Sequence, residues 1–137
     1  MIKDCTTLEQ GRMLVEIGID PNTADKCWIA MESGEEKPAL YSLSLEQARE
    51  NRMTADKFLT DIARKSVPDA LTPSWSLTAL LAVISRRFYT NLFHDGENWN
   101  VKVTDHDKPE VTECVCDDIP ASACVKMIFL LKEKKMI

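Results

Sequence analysis

The run Phe88-Tyr89-Thr90-Asn91-Leu92-Phe93, followed by His94-Asp95-Gly96-Glu97-Asn98 and then Trp99-Asn100-Val101-Lys102-Val103-Thr104, decides the fold. Trp99, Val101 and Val103 alternate with Asn100, Lys102 and Thr104. That is a period of two, the mark of a strand with one buried face. The upstream run is aromatic and branched, and the Asp-Gly between the two is a tight-hairpin signal. An antiparallel hairpin is therefore expected at the centre of the second half of the chain.

Downstream of the hairpin, Asp105 to Asp118 reads as a loop or irregular extension. Ile119-Pro120 then opens a last helix that should turn Cys124, Val125, Ile128 and Leu131 inward. Upstream, Thr72-Pro73-Ser74-Trp75 reads as a capping threonine with proline at the first helical position. That helix should run through Leu77, Leu80, Leu81 and Ile84 as the most buried of all, closed by Arg86-Arg87 at the negative end of its dipole. Ser44 to about Lys65 reads as one or two helices with a stripe of Phe58, Leu59 and Ile62, stopped by Val67-Pro68. Cys27 to Met31 and Ala39 to Leu43 read as strands. A first helix is expected from about Leu8 to Ile17, with Thr6 or Thr7 capping it and Gly18 stopping it; Asp20-Pro21-Asn22 is a turn. The sum is an α+β fold, four or five helices packed on a small, mostly antiparallel sheet of three or four strands, with residues 1–137 as a single domain.

The composition bounds the function. The 137 residues are 45% hydrophobic and 28% charged, as in a water-soluble globule. The longest apolar runs, Leu77–Ile84 and Met127–Leu131, fall far short of the ~20 residues that cross a bilayer. No apolar leader follows Met1, so a cytoplasmic location is expected, and five cysteines, an odd number, read as reduced thiols there. A net charge of −5 argues against general nucleic-acid binding. Between His94 and Asp118 stand eight acids against two lysines, a local concentration of negative charge. Arg86, Arg87 and the lysines at the far end form the sole basic region that could meet phosphates.

Few motifs carry chemistry. Four glycines leave no phosphate-cradling loop, and no nucleophile elbow is present. Cys114-Val115-Cys116 with Cys124 and His106 has zinc-ligand chemistry but lacks a paired knuckle. Asp105-His106-Asp107 sets an imidazole between carboxylates, yet neighbours on an extended chain point opposite ways. Counted as a calcium loop from Asp105, it lacks the sixth-position glycine, and Cys116 falls where the bidentate acid belongs. No cofactor, metal or catalytic residue is expected. The alternative is a small enzyme using His94 or His106 with a nearby thiol or carboxylate.

Two segments carry a resemblance. Pro73-Ser74-Trp75-Ser76-Leu77-Thr78-Ala79-Leu80-Leu81 resembles a P-x-W-S-L-x-A-L-L signature, and Ala123-Cys124-Val125-Lys126-Met127-Ile128 through Ile137 resembles an ACVxMIxWLxxNxxI ending. With Thr7-Leu8-Glu9-Gln10 and Ile19-Asp20-Pro21-Asn22-Thr23-Ala24-Asp25, these resemble a family of small uncharacterised proteins of gut anaerobic bacteria, often found in prophages and other mobile elements. Lys134-Lys135 stand where the pattern has an Asn-Gly stop. The matched positions are helix-core and capping residues, so the resemblance implies a common fold rather than a common site.

The function expected is that of a non-enzymatic cytoplasmic protein, an interaction or accessory protein of a mobile element, with no membrane association. Its partner would be another protein or a second copy of itself. Trp75, in the first turn of its helix, and Met127, Phe129 and Leu130, left over from the inner stripe of the last helix, are the expected interaction surface.

Overall fold

A computed structural model of the chain describes residues 4–29, 39–42, 47 and 71–137. Thr7 caps the first helix, α1 (Leu8–Glu16): its hydroxyl accepts from the Gln10 N–H and the Gln10 side chain accepts from the Thr7 N–H. Gly18, at φ +94°, ends it, with the Ile19 N–H reaching back to the Leu14 carbonyl and the Gly18 N–H to Val15. Those two bonds form a Schellman stop, which requires the left-handed conformation glycine tolerates. Asp20-Pro21-Asn22 is a turn as expected, a short 3₁₀ segment (Pro21–Thr23) capped by the Asp20 carboxylate.

Strands β1 (Lys26–Ile29), β2 (Ala39–Tyr41) and β3 (Leu71–Ser74) form one antiparallel sheet in the order β2-β1-β3. After α2 (Leu77–Ser85), strands β4 (Phe88–His94), β5 (Trp99–Asp105) and β6 (Thr112–Asp117) form a second, in the order β4-β5-β6. Helix α3 (Pro120–Glu133) completes the described chain. The α+β class stands, but the expected architecture does not. In place of four or five helices on one sheet, the described residues hold three α-helices and two separate three-stranded antiparallel sheets. The expected helical stretch from Ser44 to Lys65 lies outside the described residues apart from Gln47.

Two misread segments account for the difference. Thr72-Pro73 does not start a helix; it is extended and pairs with β1, Thr72 opposite Trp28 and Pro73 opposite Cys27. β3 is an edge strand, where a proline can turn its missing donor outward. Ser76 is the real cap, its hydroxyl accepting from the Ala79 N–H while Asp25 grips the Ser76 N–H and hydroxyl. Thr112–Asp117, expected to be loop, is β6. Its inward positions are Glu113, Val115 and Asp117, and the two acids there answer Lys134 and Lys126 of α3. An apolar alternation never shows in the sequence because ion pairs hold the strand's two ends.

The core gathers Leu14, Trp75, Leu80, Ile84, Phe88, Val101, Val103, Met127, Ile128 and Leu131 into one cluster. Helices α2 and α3 pack on each other and cover one face of the second sheet. At the junction with the first sheet sits Thr6, fully buried. Its N–H donates to the Trp75 carbonyl and its hydroxyl accepts from the Trp75 N–H. Its carbonyl accepts from the Ser74 hydroxyl and the Trp28 indole. Gly11 lets α1 lie directly on β3, since a methyl group there would meet the Pro73 carbonyl oxygen at 2.2 Å. No helix among the described residues is long and apolar enough to cross a membrane.

Candidate functional site

The residues expected to form an interaction surface divide. Trp75 and Met127 have no exposed surface at all, so neither can touch a partner in this fold. Trp75 lies before the helix rather than in its first turn, and its indole N–H donates to the Thr23 hydroxyl. Phe129 and Leu130 are half-buried and pack against the same core. α3 is apolar over more than one stripe because it is packed on several sides, by α2, β5, β6 and α1.

The exposed apolar surface of the second half lies instead on the sheet face that α2 and α3 leave uncovered. Strand alternation puts Tyr89, Asn91 and Phe93 on that face, beside Asn100, Lys102 and Thr104 of β5 and Thr112, Cys114 and Cys116 of β6. Tyr89 is 66% exposed and Phe93 38%. A shallow hollow of about 260 Å³ runs between Tyr89, Asn91, Lys102 and Thr104. The acids collect at its two ends, Asp95 and Glu97 at the hairpin tip and Asp107 and Glu110 in the β5–β6 loop. Acids at both ends disfavour a polyanion, and the middle of the face carries one exposed cation, Lys102, opposite Asn91.

Both histidines sit at those ends, and both are exposed. His94 Nδ1 accepts from the Gly96 N–H at 3.0 Å, and its ring meets Trp99 edge-on. The His106 ring packs on Tyr89 with centroids 4.2 Å apart. The acids beside them are occupied by the turns. The Asp95 carboxylate accepts from the Asn98 N–H, the Asn100 side-chain amide and the Glu97 N–H, which together hold its pKa down to about 2. Asp105 accepts from the Asp107 and Lys108 N–H groups and is likewise lowered. The histidines therefore keep turn and aromatic company, and these carboxylates serve backbone amides.

Of the thiols, Cys5, Cys27 and Cys124 are buried and Cys114 and Cys116 exposed, and none is in a disulfide. Burial pushes the Cys124 thiol up to about 12. Among the described residues no three histidine, cysteine or acidic side chains lie close enough to hold a metal ion.

Arg86, Arg87 and Lys132 meet around a notch of about 230 Å³ beside Gly18 and Ile19. Arg86 and Arg87 follow the C-terminus of α2, and Lys132 lies in the last turn of α3. Their proximity follows from two helices ending together, each wanting positive charge at its negative pole.

The two edges of the second sheet differ in chemistry. β6 carries Glu113 and Asp117, each bridged to a lysine of α3. β4 is seven residues long without a charged side chain, proline or bulge, and it pairs with β5 along its whole length. Sequence reasoning missed this edge because it searched for leftover apolar side chains, whereas the signal is the absence of charge on a strand whose edge position only the topology reveals. No protein-family model, curated protein or solved structure matches the chain.

Proposed function

We propose that the chain is a non-enzymatic cytoplasmic protein that works by binding another protein chain, as an accessory factor of a mobile element. The single observation supporting this reading is β4, an uncharged strand at a sheet edge among the described residues, with Tyr89 and Phe93 exposed on the face that α2 and α3 leave open. Natural sheet edges are normally blunted by charge, proline or a bulge, and an edge with none of these is a template for another strand. Five cysteines without a disulfide, two of them exposed, suit a reducing compartment. The resemblance to proteins of mobile elements supplies the setting. A photo-cross-linking amino acid placed at Tyr89 in cells should give a protein adduct, while the same group at exposed Arg12 of α1, which packs on β3, should not. No adduct at either position, or equal adducts at both, would contradict the reading.

A further inference from the structure

The chemistry of β4 goes further and names its partner, on the premise that this edge binds protein. The Asp95 N–H donates to the Asn98 carbonyl, so these two form a hydrogen-bonded pair. By alternation the backbone groups of Tyr89, Asn91 and Phe93 bond to β5, and those of Phe88, Thr90, Leu92 and His94 point away from it. Among the described residues no backbone group pairs with that outer row.

Aromatic rings stand symmetrically about Asn91, although the inner pair, Thr90 and Leu92, does not match in type. Aromatic Tyr89 and Phe93 flank it at two residues on either side, Thr90 and Leu92 at one, Phe88 and His94 at three. We propose that β4 pairs antiparallel with β4 of a second copy of this chain across a twofold axis at Asn91, joining the two sheets into one of six strands. In this register Thr90 faces Leu92 of the other copy and Phe88 faces His94, and each of these pairs has its backbone groups turned toward the other. Tyr89 then stands opposite Phe93 of the other copy, twice, on the open face, in the closer, non-hydrogen-bonded type of pair.

Charge selects a copy rather than an unrelated strand. The same register sets the end of β4 that follows exposed Arg87, a residue of the turn after α2, beside the hairpin turn of the other copy that carries Asp95, and does so at both ends of the strand. Asp95, held ionised by its turn, supplies the negative half. Two molecules of net charge −5 thus meet along an uncharged strand with opposite charges at its ends.

Asn91→Glu tests this cleanly. Within one chain position 91 is opposite Lys102, so a carboxylate there suits the monomer. Across the axis it would face its own copy. Sedimentation of the wild type between about 1 µM and 1 mM should show a monomer–dimer equilibrium. The Asn91→Glu variant should dimerise on the order of tenfold more weakly or worse, with an unchanged far-UV spectrum. Mixing it with Asn91→Lys should restore a heterodimer. A wild type that stays monomeric throughout, or a dimer indifferent to Asn91→Glu, overturns the self-pairing. If the wild type is monomeric while the Tyr89 cross-linker still captures a different protein, the self-pairing alone falls. If it captures nothing, the broader reading falls with it.

Discussion

Thr6 shows how much a single buried hydroxyl can organise. It takes the Trp75 N–H at 3.0 Å in a site with no solvent access, so removing the oxygen while keeping the shape leaves a donor with nothing to bond. Thr6→Val should cost about 1–3 kcal/mol in urea unfolding. Lys135 is a residue in the wrong conformation for its type. At φ +57° it occupies the left-handed position of a Schellman stop after α3, with the Met136 N–H reaching the Leu131 carbonyl. Lys135→Gly should therefore stabilise the chain by about 1 kcal/mol, read as a raised unfolding midpoint. The thiols make a third case: Cys114 and Cys116 should react quickly with a neutral-pH thiol reagent. Cys5, Cys27 and Cys124 should wait for unfolding, because all three are buried, and burial also raises the pKa of Cys5 and Cys124.

At the scale of elements, the hairpin β4–β5 was legible because Trp99, Val101 and Val103 alternate with polar residues along β5 and its turn contains Asp-Gly. The tip also predicts a pH response. Three hydrogen bonds lower Asp95 from the usual carboxylate range to about 2 in the folded state. The stability they confer is present above the unfolded value near 4 and is lost as pH falls through about 2. A carboxyl resonance of Asp95 titrating near 2 checks this; a midpoint near 4 would contradict the turn geometry. β6 and β3 were not legible for opposite reasons. β6 hides its inward face behind acids that meet lysines of α3, a pairing only the tertiary fold creates. β3 presents a threonine-proline pair that suits a helix start equally well, and the contest is settled by Asp25 holding Ser76 across 51 residues of sequence. The close approach of α1 to β3 is testable too. Gly11→Ala, normally helix-favouring, should instead destabilise by about 1–3 kcal/mol because the Pro73 carbonyl must move.

At the scale of the whole molecule, the candidate surface moved from where the sequence pointed. Trp75 looked like an anchor because a helix starting at Pro73 would put it in the first turn, and Met127 because it falls off the inner stripe of an isolated helix. In the fold they are surrounded on every side, and bulk that seemed spare is used up in one core. What remained outside is a strand edge, a property of sheet order that no residue pattern announces. Amide hydrogen exchange of the unmodified protein reads that edge directly. If β4 pairs with its copy, the N–H groups of Thr90, Leu92 and His94 should exchange more slowly as protein concentration rises. Those of Tyr89, Asn91 and Phe93, already bonded to β5, should change far less. Exchange at the outer three that is fast and identical at low and high concentration would contradict the account.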